Sequence, residues 1–399
     1  MFFDDVPEGA PDPIFGMLGA FEADTRIKKV SLMVGIFKDE NLRSELIPAV
    51  RQAKEKILPT DQLADYLPMD GIKEFGAALG SVLFGKKHWD EQHSRIYAAQ
   101  AIGGTGALRL GADFLALGIG NKAYVAQPTW PNQRTILEKA GFEVEALPYY
   151  NREIHRFDRD AYLQQLRKLE PRSVVVFHAV CHNPTGSDPS LEEWKEISAI
   201  CKEREIIPFF DCAYQGFGDG LDEDAKAVRL FLEEGHEMVI AYSCSKNFSL
   251  YSQRVGALFI VCPNAAVKTR VASQVKRVIR PMYSNPPAHG ARIVAKVLND
   301  PELARDWQKQ LGQMRHRISV ARQSLIQRLM AKSAEIDFSF LKHHKGMFSY
   351  LDLTKHQVQE LIDKYAIYTL ESGRINVAGL TFGNIDYVVD SIVKVCEKQ

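Results

Sequence analysis

Apolar positions along this chain follow two periods, one near 3.6 and one near two, and the two alternate through its middle. Short apolar, β-branched runs predict strands at Lys122-Ala-Tyr-Val-Ala-Gln127, Glu143-Val-Glu-Ala-Leu147, Ser173-Val-Val-Val-Phe-His178, Ile206-Ile-Pro-Phe-Phe210, Met238-Val-Ile-Ala-Tyr242 and Gly256-Ala-Leu-Phe-Ile-Val261. Helical patterns lie between them, so the expected class is α/β with a mainly parallel central sheet. Four of the strands end in polar or aromatic clusters: Pro128-Thr-Trp-Pro-Asn-Gln133, Cys181-His-Asn-Pro-Thr-Gly186, Asp211-Cys-Ala-Tyr214 and Ser243-Cys-Ser-Lys246. In a parallel sheet those clusters converge on one crevice at the carboxyl ends of the strands.

From about residue 290 a long helical pattern runs through Asp306-Trp-Gln-Lys309 and Met314-Arg-His-Arg317 toward Leu329. Short strands such as Met347-Phe-Ser-Tyr-Leu351 follow, which predicts a separate C-terminal module beginning near residue 313. A length of 399 residues allows a large domain plus a smaller one. Lys plus Arg equals Asp plus Glu at 50 each, which removes the bulk electrostatic case for nucleic-acid or anionic-membrane partners and favours a small metabolite. The six cysteines are scattered with no C-x-x-C, as expected of reduced thiols in the cytoplasm. No basic leader and no apolar run of about 20 residues is present, so a soluble, unprocessed chain is expected.

Lys246, just beyond an apolar strand, can present its amine to a carbonyl. Two other readings fit the same residues: an ordinary surface lysine, and the Ser-x-x-Lys pattern of a serine acyl-enzyme hydrolase, for which the later Lys-Thr-Gly strand is missing. Gly103-Gly-Thr-Gly106 opens a helical pattern, where amides and the helix dipole can hold a phosphate, although an ordinary glycine turn has the same sequence. Gly118-Ile-Gly120 follows a helix and precedes a strand, the reverse of a dinucleotide fingerprint. His178 and His182 flank a turn rather than sharing a helix face, and no metal is expected. Asp211 ends an apolar strand and should be buried opposite a cation. Trp130 can pack or stack on a ring. Arg280, before a proline, and Arg374, after a turn glycine, can each grip a carboxylate bidentately.

Taken in order, these clusters closely resemble the aspartate and aromatic aminotransferases, fold-type I enzymes that use pyridoxal 5'-phosphate. The resemblance spans nearly the whole chain: Tyr66-Leu-Pro-Met-Asp-Gly71, Gly104-Thr-Gly-Ala-Leu-Arg109, Trp130-Pro-Asn132, His182-Asn-Pro-Thr-Gly186, Asp211-x-Ala-Tyr214, Ser243-x-Ser-Lys-Asn-Phe248, Arg254-Val-Gly256, Tyr283-Ser-Asn-Pro-Pro287, Gly346-Met-Phe-Ser349 and Ser372-Gly-Arg-Ile-Asn376.

The resemblance implies that Lys246 holds the cofactor as an internal aldimine and later carries the Cα proton. It implies that Asp211 pairs with the pyridinium nitrogen, that Tyr214 and Asn183 bond the ring hydroxyl, and that Trp130 stacks on the ring. Gly104, Thr105, Ser243, Ser245 and Arg254 would hold the phosphate, with Tyr66 reaching in from a partner subunit. Arg374, with Asn183 and the backbone at Gly35, would bind the α-carboxylate, and Arg280 the distal carboxylate across a homodimer interface. The domains implied are an N-terminal arm over 1–12, a small domain from 13–44 and 313–399, and a large cofactor domain over 45–312. The implied reaction moves the amino group of L-aspartate to 2-oxoglutarate, with an aromatic aminotransferase as the alternative and a catalytically silent cofactor-binding module as a distant one. Two departures stand out: Gln133 replaces the family's histidine after Trp-Pro-Asn, and Asn41-Leu-Arg-Ser-Glu-Leu46 lacks the usual glycine and proline.

Overall fold

The computed structural model describes residues 1–9, 13–60, 65–333 and 336–397. The expected arm over 1–12 therefore includes three residues, 10–12, that lie outside the described residues. The chain divides into two units. The larger comprises Ser44–Ser319 and His343–Gly346, and the smaller comprises Met1–Arg43, Val320–Lys342 and Met347–Gln399. The later division between the units falls between Ser319 and Val320, inside a helix spanning Pro301–Lys332.

The larger unit is built on seven strands: β1 Ile96–Ile102, β2 Ala123–Gln127, β3 Val144–Pro148, β4 Val174–His178, β5 Ile207–Cys212, β6 Met238–Ser243 and β7 Val255–Val261. They lie in the order β1-β7-β6-β5-β4-β2-β3. From β6 to β3 every pairing is parallel, whereas β7 is antiparallel to both β6 and β1. The six expected strands are all present, shifted by a residue or two at their ends. β1 was not expected: its Ala-Ala-Gln-Ala centre carries little of the β-branched signal that marks the others.

Every residue of β4, β6 and β7 is buried, and covering both faces of a sheet is what makes such strands read as continuous apolar runs. On one face Val174, Val176, Phe209, Val239, Ala241, Leu258 and Ile260 pack with Ala107, Leu108 and Leu110 of helix α1 (Gly103–Leu115). On the other, Phe177, Phe210, Trp194 and Phe231 form edge-on and tilted ring pairs with centroids 5.1 to 6.1 Å apart. Fully burying side chains of this size contributes about 1.5–3 kcal/mol each, so the sheet is a rigid platform for whatever its edge carries.

The smaller unit holds two short ladders. Val30–Ser31 pairs in parallel with Ile367–Tyr368, and Phe348–Tyr350 pairs antiparallel with Arg374–Asn376. Helices Lys355–Tyr365, begun by a Thr354–Gln357 capping box, and Ile385–Cys396 pack together beside them.

Candidate active site

The pairing pattern decides where the chemistry gathers. Because β2, β4, β5 and β6 are parallel, their carboxyl ends share one edge of the sheet. The antiparallel β7 begins at that edge, with Val255 opposite Ile102 and Gly256 opposite Ser243. Trp130, Asn183, Asp211, Tyr214, Ser243, Ser245, Lys246, Arg254, Gly104 and Thr105 all follow or precede these strand ends within a few residues.

Lys246 lies in a turn held from below. Cys244 N donates to Val255 O at 3.0 Å, Phe248 N to Cys244 O at 3.3 Å and Ser249 N to Lys246 O at 3.1 Å. Asn247, fully buried, donates from Nδ2 to the Tyr242 hydroxyl at 2.8 Å, and its carbonyl accepts the Trp307 indole N–H at 2.7 Å. Phe248 stacks on Trp307 with centroids 4.6 Å apart. The lysine side chain, half-buried, passes over the Tyr214 ring with Nζ 5.2 Å from its centroid. Trp307→Phe keeps the stack and removes the donor to Asn247. The expected loss is about 1–3 kcal/mol, read as a lower urea midpoint for unfolding.

Beside the turn is a cradle shaped for an anion. Helix α1 begins at Gly103 with no side chain capping it, so its first amides face outward at the positive end of the dipole. A Cβ on Gly104 would lie 2.8 Å from Ser243 Cβ, and one on Gly103, at φ +68°, would lie 2.8 Å from Arg254 Cζ. Only glycine allows Ser243 and the Arg254 guanidinium this close to the helix start. Ser243 Oγ also accepts the amide of Ser245 at 3.2 Å.

Asp211 is the penultimate residue of β5 and is 5% exposed. Gln133, in the first turn of helix α2 (Pro131–Lys139) and 1% exposed, donates from Nε2 to Asp211 Oδ2 at 2.7 Å. The same nitrogen lies 3.2 Å from His178 Nε2, and Gln133 Oε1 accepts the Thr129 hydroxyl at 2.6 Å. Burial lowers the pKa of His178 against the pull of Asp211, and lowers that of His182 well below the usual histidine value. The two rings meet edge-on at 4.5 Å, and His182 stacks on Tyr149 at 3.8 Å. Asn183, buried, rides on a loop clasped by Asp188, whose carboxylate accepts the Cys181 and His182 amides at 2.7 and 2.8 Å. Burial pushes the Asp188 carboxyl up to about 6 despite those amides.

In the smaller unit Arg374 is 2% exposed and its guanidinium lies over the Phe348 ring at 4.1 Å. It also donates to Met33 O. A Cβ on Gly35 would strike the same ring at 2.6 Å, and Asn376 Nδ2 donates to Val34 O and Ile36 O at 2.7 and 2.8 Å. Gly35 and Arg374 are thus gathered around one phenylalanine.

Residues 27–392 match the family model of the class I and II aminotransferases. The chain belongs to the class I and II aminotransferases. It is 42% identical to the aspartate aminotransferase of Escherichia coli over 394 residues, covering 98% of this chain and all of that one. Identity to the aspartate aminotransferase of Pseudomonas aeruginosa is 44%, over 98% of this chain and 99% of that protein. Among solved structures, the aromatic-amino-acid aminotransferase of Burkholderia pseudomallei, covalently bound to pyridoxal phosphate, superposes with a TM-score of 0.95 at 44% identity, over 99% of each chain.

In this aminotransferase the strand-end residues expected from sequence lie along one sheet edge, and Gly35 with Arg374 lies in the smaller unit. Tyr66, 92% exposed, and Arg280, also exposed with its guanidinium on Ser284 Oγ at 2.6 Å, stand at the surface. The side chain that donates to Asp211 is the uncharged amide of Gln133, a contact the sequence did not name. Phe348 and Trp307 were missed as supports of Arg374 and of the Lys246 turn. For Phe348 the available signal was its place beside Gly346 in a short apolar strand.

Proposed function

We propose that this chain is an aspartate aminotransferase, which exchanges amino groups between L-aspartate and 2-oxoglutarate to give oxaloacetate and L-glutamate. The observation that carries the reading is the gathering of Lys246, Asp211 and the Gly104–Ser243–Arg254 cradle on one edge of a rigid sheet. These residues fit pyridoxal 5'-phosphate: an anion cradle sized by glycine, a buried carboxylate for a ring cation and an amine for an aldehyde. When bound, that cofactor supplies an electrophilic aldehyde carbon and a ring that withdraws electrons from the substrate Cα.

Gly104, Thr105, Ser243, Ser245 and Arg254 would hold the phosphate, and Asp211 would pair with the ring nitrogen and favour its protonated form. Trp130 would cover a ring face, and Tyr214 and Asn183 would bond the ring hydroxyl. Lys246 Nζ would hold the cofactor and, once freed by the substrate amine, would take the proton from the substrate Cα and deliver it to the cofactor C4' carbon. Arg374, stacked on Phe348, receives the α-carboxylate with the Gly35 backbone and Asn183, which orients the Cα–H bond. Arg280 receives the distal carboxylate.

The exposure of Tyr66 and Arg280 supports a homodimer in which each subunit completes its partner's site. Six free cysteines, five of them buried, support a reducing, cytoplasmic location. Among the described residues no helix is long and apolar enough to cross a membrane.

The 44% identity to an aromatic-amino-acid aminotransferase favours a second reading, in which tyrosine and phenylalanine are the preferred amino donors. Comparing kcat/KM for aspartate, tyrosine and phenylalanine separates the two, and a clear preference for tyrosine overturns the first. Arg280→Asp places a carboxylate where the distal carboxylate docks. It is expected to lower kcat/KM for aspartate by about 10²-fold or more and that for phenylalanine far less. Equal losses for both substrates contradict the assignment.

A further inference from the structure

We propose that Gln133 is a positioning residue for Asp211, presenting its carboxylate to the cofactor ring through an uncharged donor that does not titrate. The proposal rests on the reading that pyridoxal 5'-phosphate lies against Asp211.

Three observations carry it. The first is that the amide has one orientation. A carboxylate only accepts, so Nε2 faces Asp211 at 2.7 Å, which leaves Oε1 to take the Thr129 hydroxyl at 2.6 Å. The second is that the amide has no room to trade this arrangement for water: Gln133 is 1% exposed and starts a helix whose entry is set by Pro131.

The third is the character of the neighbours. Among the described residues, His178 at the end of β4 and Cys212 beside it on β5 feel the charge of Asp211, while His182 lies behind His178 and Tyr214 and Lys246 follow the strand ends. Burial favours the neutral imidazoles of His178 and His182 and raises the Cys212 thiol well above its ordinary value. A neutral His178 with its proton on Nδ1 can accept the second amide proton of Gln133, whose Nε2 is 3.2 Å from His178 Nε2. Asp211 therefore sits in a hydrogen-bonded frame of Thr129, Gln133 and His178 whose members keep one charge state around neutral pH. A histidine or carboxylate at position 133 would add a titrating group in direct contact with it.

The test compares the wild type, Gln133→Leu and Gln133→His, each prepared without cofactor and reconstituted with pyridoxal 5'-phosphate. Two quantities are read without substrate: the cofactor dissociation constant, and visible absorbance between about pH 5 and pH 9, the range in which a histidine titrates. Gln133→Leu is expected to bind the cofactor about tenfold more weakly, the loss of one hydrogen bond to a charged group. Its cofactor-free form should unfold at a lower temperature, because Asp211 and Thr129 lose a buried partner, and binding is read on the folded protein well below that temperature, which separates positioning from folding.

Gln133→His restores a donor, so its affinity should return to within about threefold of wild type. Its absorbance should follow two protons where the wild type follows one, that of the lysine-bound cofactor. A leucine variant with wild-type affinity and spectrum overturns the proposal, as does a wild-type curve that itself needs two protons. A wild-type protein that takes up no cofactor overturns the functional reading along with it, and so is told apart from failure at Gln133 alone.

Discussion

Lys246→Ala is expected to lose about 10⁴-fold in turnover while still binding pyridoxal 5'-phosphate. The variant deletes the amine that moves the proton at the substrate Cα. The cradle at Gly104, Ser243 and Arg254 and the carboxylate of Asp211 are untouched, so affinity should persist. The turn itself should survive too, since Asn247, Phe248 and Trp307 fix it through the backbone and through residues other than the lysine side chain. Single-turnover kinetics with aspartate check the first half and equilibrium dialysis of the cofactor the second. Substantial residual transamination by the purified variant removes Lys246 from the mechanism.

Arg374→Leu is expected to lower kcat/KM for every amino donor by about 10²- to 10³-fold, mostly through KM. Truncating one partner of a buried, hydrogen-bonded charge pair costs about 2–5 kcal/mol, and Arg374 is 2% exposed. Arg374→Lys keeps the charge but gives up the planar fork and its stacking on Phe348, so it should recover only part of the loss. Unlike Arg280→Asp, this change should fall alike on aspartate and phenylalanine, because every amino acid carries the α-carboxylate. Steady-state kinetics with both donors make the comparison, and a loss confined to dicarboxylates contradicts the role.

The larger unit was readable in sequence because burial on both faces turns a strand into an unbroken apolar run, as in Ser173-Val-Val-Val-Phe-His178. The same logic hid Ile96–Ile102. Its alanines pack into the core beside helix α1, and its buried Gln100 is used for bonds to Ile72 N at 3.2 Å and Pro287 O at 2.7 Å, so its composition does not mark a strand. That Val255–Val261 runs antiparallel was equally invisible, because direction is set by long-range pairing and not by the run itself.

At the site, the residues that face a ligand were legible as polar clusters after strands, whereas those that hold them were not. Gln133 and Asp211 are 78 positions apart, and nothing in either segment names the other as its partner. Asp211 in an apolar strand calls for a partner, and the chain itself supplies the amide of Gln133. Phe348 looked like ordinary strand filling, and only the register of its ladder with Arg374–Asn376 brings its ring beneath the guanidinium.

The most direct test of the account is the visible spectrum of the purified holoprotein on stepwise addition of L-aspartate. The account predicts a yellow protein whose absorbance shifts fully toward the amine form of the cofactor, and which 2-oxoglutarate then restores. A spectrum that aspartate leaves unchanged contradicts it.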